Sequence, residues 1–264
     1  MAADAPEVAD APEVLVSTPA DGVLVVTIDR PRARNAVTAA VAQGIAEAMD
    51  RLDADPGLRV GVLTGAGGTF CAGMDLKAFV RGERPVVPGR GFAGVTQQPP
   101  AKPLIAAVEG YALAGGFELV LACDLVVAAE GATFGIPEVK RGLVAAAGGL
   151  LHLPRRIPYH QAMELALLGN HIPATRAREL GLVNRLVPDG TALDAAIALA
   201  GEISANGPLA VRASKRIVAS APGWSDEERW ERQAEVAGPV SSSKDAIEGA
   251  RAFAEKRAPV WSGE

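Results

Sequence analysis

Aromatic residues make up 4% of this chain of 264 residues, with two cysteines and three histidines. Each scarcity excludes something. With so few aromatics the core must be built from Ala, Val, Leu and Ile, which suits tight helix–strand layers. Cys71 and Cys123 are too few and too far apart for a zinc site, and read as small buried hydrophobes in a reducing compartment. His152, His160 and His171 have no ligand spacing, so neither a metal nor a separate cofactor is expected. No Lys/Arg-rich stretch is present and the net charge is −5, which argues against a nucleic-acid partner. No uncharged apolar run is long enough to span a bilayer, and the one around residues 145–151 is interrupted by Gly and Pro. Residues 1–12 are Ala, Pro, Asp and Glu, with no basic or apolar leader pattern. We expect a disordered tail there, no secretory leader and a cytoplasmic location.

What the chain has is apolar bulk, 49% of residues, enough for one large domain or a domain with a C-terminal appendage. Two apolar runs around the turn signal Asp21-Gly22 predict a hairpin. Asn35 or Thr38 can cap a helix over residues 39–52, where Ile45, Met49 and Leu52 share a face. Strands follow at 59–64, 104–108 and 124–129, with a short apolar helix at 117–123. Residues 81–103, rich in Gly, Pro and charge, read as a mobile surface stretch that walls a pocket. Residues 111–116 read as a loop, and 134–138 as a strand end or loop. Beyond about residue 148 helical periodicity dominates at 159–168, 175–180, 192–204, 209–220, 225–238 and 244–256, broken by a strand at 182–187. This is an α/β pattern with a helical C-terminal part. It divides into a tail (1–12), a core domain (13–200) and a helical region (201–264).

Two glycine-rich turns each follow a strand: Thr69-Phe-Cys-Ala-Gly-Met-Asp-Leu-Lys77 and Gly110-Tyr-Ala-Leu-Ala-Gly-Gly-Phe-Glu-Leu119. Glycine lets a backbone N–H face outward. Two such donors can hold the charge on a carbonyl oxygen that becomes an enolate, and the second turn opens a helix whose dipole adds to it. Neither turn fits a dinucleotide or P-loop fingerprint. Taken alone, Gly-Gly turns are more often simply turns.

Two carboxylates stand out. Glu118 lies inside an apolar helical run, where a charge is costly unless paired or functional, and where desolvation raises its pKa. Glu138 follows Gly135-Ile-Pro137. Read singly, Glu118 could pair with an internal Arg or Lys, and Glu138 could cap a turn. They gain meaning as a set with the glycine turns.

Phe70-Cys-Ala-Gly-Met-Asp-Leu-Lys77 resembles the F-x-A-G-x-D-x-K segment of the enoyl-CoA hydratase/isomerase (crotonase) superfamily. The run from Pro103 through Ala114-Gly115-Gly116 to Glu118 resembles its P-x-I-A-A-x-x-G-x-x-x-G-G-G-x-E segment. Arg30-Pro31, Asn35-Ala36, Asp124, Phe134-Gly135, Pro137-Glu138, Gly181-Leu-Val and Phe253-Ala-Glu-Lys-Arg257 continue it in order, over about residues 13–262. The resemblance implies a ClpP-like spiral of ββα units with a helical C-terminal trimerisation region, and a homotrimer or dimer of trimers. It also implies a coenzyme A thioester substrate in lipid breakdown. By position, the N–H groups of Met74 and Gly115 would form the oxyanion hole. Glu118 would activate water for attack on Cβ, and Glu138 would deliver a proton to Cα. Arg32, Ala33, Ala72, Asp75, Leu76 and Lys77 would line the coenzyme, and Phe253 and Lys256 would reach its nucleotide end from a neighbouring subunit.

The chain departs from the pattern twice. Ala114 stands where the family has the first of three glycines, and Val144-Ala-Ala-Ala147 stands where Pro-Gly is usual. The second change alters a pocket wall, and with it the acyl preference. Retention of both glutamates favours hydration or dehydration over isomerisation. A carnitinyl-CoA dehydratase is the nearest enzymatic alternative, although few aromatics are available for a quaternary ammonium. A non-catalytic acyl-CoA binder is the alternative from another class.

Overall fold

The computed structural model describes residues 12–264, so all but the last residue of the tail expected over residues 1–12 lies outside the described residues. In chain order the elements are β1 (Val14–Ala20), β2 (Val23–Ile28), α1 (Ala39–Ala54), β3 (Val60–Gly65), α2 (Leu76–Val80), β4 (Val86–Val87), β5 (Gly91–Phe92) and β6 (Leu104–Val108). They continue with β7 (Tyr111–Leu113), α3 (Gly115–Ala122), β8 (Leu125–Ala129), β9 (Thr133–Gly135), α4 (Gly149–Arg156), α5 (Tyr159–Leu168), β10 (Ile172–Pro173) and α6 (Ala174–Glu179). The last are β11 (Arg185–Val187), α7 (Ala192–Ser204), α8 (Pro208–Ser220), α9 (Arg229–Ser241) and α10 (Lys244–Glu255).

Six strands form one sheet in the order β1-β2-β3-β6-β8-β11. Only β1 is antiparallel to its neighbour, as the Asp21-Gly22 turn requires. The period-2 alternation of a strand sorts its apolar residues onto two faces. Val23, Val25, Val60, Val62, Ile105, Ala107 and Val127 pack under α7. Leu24, Val26, Ile28, Leu63, Leu104, Ala106 and Val108 pack under α1 and the rest of the core. A sheet covered on both faces needs near-continuous apolar strands, and β3 and β6 read that way. A second sheet, β10-β9-β7, lies beyond, and the whole is the expected α/β arrangement with a helical C-terminal region.

Several sequence expectations are corrected. Residues 81–103 are not a loose surface stretch. They include the β4–β5 hairpin and bury Phe92, Ala93 and Val95 in the core. Gly94 lies so close to α1 that a Cβ there would meet the Ala42 carbonyl at 2.4 Å. The scattered glycines and charges hid three apolar anchors. Tyr111–Leu113 is a strand, not a loop, because it pairs with β9. Helix α4 was missed, since Gly148-Gly149 and the internal Pro154 mask its period, and so was the two-residue strand β10. The helix expected at 225–238 begins later, at Arg229. Thr38, not Asn35, caps α1, accepting from the Val41 N–H. Among the described residues no helix is long and apolar enough to cross a membrane.

Candidate active site

Asn35 is the hinge of the first glycine turn. It is fully buried, donates from Nδ2 to the carbonyls of Ala66 and Thr69 at 2.9 and 2.6 Å, and accepts from the Arg30 N–H. A buried amide so satisfied fixes the loop that leaves β3. Downstream, Phe70 N–H donates to Glu109 O, Cys71 N–H to Tyr111 O, and Leu113 N–H to Cys71 O. The first turn is thereby laid alongside β7, next to the second.

Their approach is tight. A Cβ on Gly73 would sit 2.8 Å from the Ala114 methyl and 3.1 Å from the Gly115 nitrogen, and one on Gly116 would sit 2.0 Å from the Cys71 carbonyl oxygen. Only glycine fits at 73 and 116. Gly73 also takes φ +99°, a backbone region that side chains disfavour. Among the described residues neither Met74 N–H nor Gly115 N–H has a hydrogen-bond acceptor in the chain. The first lies just past Gly73, and the second opens α3, whose dipole favours negative charge there. The structure brings the two expected donors together.

Glu118 sits on the first turn of α3 and is 3% exposed. Among the described residues it has no cation partner. Its Oε1 accepts from the N–H groups of Ala147 at 2.8 Å and Gly149 at 2.9 Å, at the entrance to α4. Burial raises its pKa, and these two N–H donors oppose the rise. Glu138 lies on a 3₁₀ turn, Pro137–Arg141. Its Oε2 is buried with no partner among the described residues. Burial pushes its pKa up to about 7, its own N–H and Arg141 oppose the rise, and the charge of Glu118 adds to it. The two carboxyls are therefore close enough to feel each other, and they differ in kind. One is held by donors that favour the anion, and the other is left to keep its proton near neutrality.

The residues expected to line the coenzyme fall into two groups. Segments 34–37 and 72–75 run side by side, with Ala72 N–H donating to Arg34 O, Val37 N–H to Gly73 O and Asp75 N–H to Val37 O. This brings Arg32 and Ala33 near Ala72, with Arg32, Leu76 and Lys77 exposed and Ala33 and Ala72 half-buried. Asp75 is already occupied. Its Oδ1 accepts from the Lys77 and Ala78 N–H groups as the cap of α2, and its Oδ2 pairs with Arg30 at 3.1 Å. Its pKa is lowered although burial opposes this, because the N–H of Ala78, Arg30 and the N–H of Lys77 outweigh it. Phe253, 87% exposed, and Lys256 stand on the end of α10, whose packing is against α9. Among the described residues neither side chain bonds to a site residue in the same chain. Cys71 and Cys123 are buried with pKa values pushed up to about 12, so neither is a nucleophile.

Sequence reasoning missed the two donors to Glu118. Val144-Ala-Ala-Ala147 carries no side-chain signal, because the groups that matter are main-chain amides. It also missed Phe92, whose ring packs against Gly115.

Two outward amides and two carboxyls of unlike character thus lie together at one side of the α/β core. The family model described as enoyl-CoA hydratase/isomerase matches residues 18–264. A crystal structure of an enoyl-CoA hydratase from Mycobacterium marinum superposes with a TM-score of 0.94 at 64% identity, over 96% of this chain and 100% of that one. An enoyl-CoA hydratase of Mycobacterium tuberculosis is 46% identical over 89% of this chain and 91% of its own length. A carnitinyl-CoA dehydratase of Proteus mirabilis is 41% identical over 91% of this chain and 95% of its own. The chain belongs to the enoyl-CoA hydratase/isomerase family, in its hydratase branch, and is an enzyme of the hydro-lyase kind.

Proposed function

We propose that the enzyme adds water syn across the double bond of a trans-2-enoyl-CoA to give a 3-hydroxyacyl-CoA. One observation carries this reading: the pairing of an anion-stabilised Glu118 with a proton-retaining Glu138 beside two unpartnered N–H groups. The thioester carbonyl accepts from Met74 N–H and Gly115 N–H. Glu118 takes a proton from water as the water oxygen bonds to Cβ. The π electrons move to the carbonyl oxygen, and the two amides hold the enolate. As the enolate collapses, Glu138 gives its proton to Cα. The enzyme is left with Glu118 protonated and Glu138 ionised, and one proton exchange with solvent restores it. No separate cofactor enters these steps.

The coenzyme lies along Arg32, Ala33, Ala72, Leu76 and Lys77, with Asp75 holding the shape of that strip rather than binding. Phe253 and Lys256 act from a neighbouring subunit of a trimer or dimer of trimers. The bare helices α8 and α9, neither with a buried residue in the single chain, support that assembly, and sedimentation velocity tests it.

The experiment for the activity is the loss of enoyl thioester absorbance with crotonyl-CoA, comparing wild type with Glu118→Gln and Glu138→Gln. Each substitution is expected to lower turnover by at least about 100-fold. Near-normal turnover in either would sink its role. The 41% identity to a carnitinyl-CoA dehydratase supports one second reading. Turnover of a γ-trimethylammonio enoyl-CoA with none of crotonyl-CoA would select it.

A further inference from the structure

Phe92 lies in the hairpin β4–β5, away in sequence from both glycine turns, yet its ring tip fills the place of a side chain at Gly115. A Cβ built on Gly115 would meet Phe92 Cζ at 2.6 Å and Cε1 at 2.7 Å. The ring is therefore in van der Waals contact with the Gly115 backbone. Phe92 is 9% exposed and belongs to the main core. Its position is set on both sides. Gly91 and Ala93 have φ of +80° and +51°, and Gly94 is pressed onto α1. The N–H groups of Val95 and Thr96 donate to the Phe92 carbonyl. A ring anchored this firmly does not swing aside cheaply.

An acyl group whose carbonyl oxygen reaches the Gly115 N–H places its C2 only one bond beyond the carbonyl carbon. The Phe92 ring fills the space beside that donor. We infer that Phe92 selects acyl groups by their width next to the thioester, admitting those unbranched at C2 and rejecting those that carry a methyl there. This rests on the reading of Met74 and Gly115 as the oxyanion pair, and it assigns the specificity of that same site.

The test compares butyryl-CoA with isobutyryl-CoA, two saturated thioesters that cannot be hydrated, by calorimetry on wild type, Phe92→Ala and Phe92→Leu. Wild type is expected to favour butyryl-CoA by at least about 10-fold, within what one methyl group against a fixed wall produces. Phe92→Ala is expected to bring the ratio near 1, with Phe92→Leu between. Thermal melts on each variant establish that the fold is kept, and Phe92→Leu serves if Phe92→Ala does not fold. An unchanged ratio in a folded variant, or no preference in wild type, overturns the inference. Because the ligands do not react, a failure of the hydration reading leaves this result readable. The same variants on crotonyl-CoA and its 2-methyl homologue extend it to turnover.

Discussion

Gly149 gives its N–H to Glu118 Oε1 at 2.9 Å, and the fit between them is tight: a Cβ on Gly149 would lie 3.1 Å from Glu118 Cγ and 3.1 Å from Oε1, so the carboxylate would have to give by some tenths of an ångström. Gly149→Ala is expected to push Glu118 aside while leaving the coenzyme strip intact. Turnover of crotonyl-CoA should fall by about 10- to 100-fold, the scale of a sub-ångström to ångström misplacement, with KM changed little. A variant with unaltered kcat would show that Glu118 needs no such support.

The proposed proton donor sets a pH limit. Glu138 has its pKa raised to about 7, so it is protonated below that value and loses its proton above it. On the roles assigned here kcat/KM should decline as pH rises through about 7, the acid limb of the free enzyme. Its rise at low pH should follow ionisation of Glu118. Steady-state rates between pH 5 and 9 measure both limbs. A profile flat across pH 6–8 would remove Glu138 from the donor role.

The same raised pKa affects stability. The folded protein holds this proton more tightly than the unfolded chain, so the associated stability is fully present below the ordinary carboxylate value and is lost as pH rises through about 7. Glu138→Gln avoids burying the charge and should melt higher than wild type at pH 8, by about 1–3 °C in a chain of this size. Partial solvent access keeps the gain small. The gain should vanish near pH 4.5, and scanning calorimetry at both pH values checks it.

Ala114 occupies φ 52°, ψ −128°, a conformation open to glycine and costly for any side chain, by about 1–3 kcal/mol. Ala114→Gly relieves that strain and loosens the unfolded chain by somewhat less. The expected net effect is a melting temperature raised by about 1–3 °C, with hydration at least as fast. A lower melting temperature would mean that the methyl's contact with Gly73 outweighs the strain.

What could be read from the chain beforehand follows from where the signal resides. Glu118 was conspicuous because an acid inside Phe-Glu-Leu-Val-Leu has no other ready explanation, and the glycines at 73, 115 and 116 because each glycine-rich turn follows an apolar strand. The near-continuous apolar runs of β2, β3 and β6 were legible as buried strands, and a sheet covered on both faces requires such runs. The amides of Ala147 and Gly149 were invisible, since one residue's N–H reads like another's. Helix α4 was lost because its function demands Gly148-Gly149 at its start, where a sequence reading sees only a breaker. Phe92 was lost because a two-residue strand among glycines has no period to detect. Asn35 was noticed for the wrong reason, as a helix cap, when its amide instead ties together carbonyls 31 and 34 residues further along.

On the roles proposed above, four main-chain amides, those of Met74, Gly115, Ala147 and Gly149, attend the charges of the reaction, and Gly73 and Gly116 must stay glycine to keep the first two in place. The side chains of residues 144–147 can therefore change without deleting a donor. A gene copy can acquire a new clientele by repainting the walls while the reactive centre stays as it was. Divergence in such a lineage should be fastest in what it accepts and slowest in what it does to it.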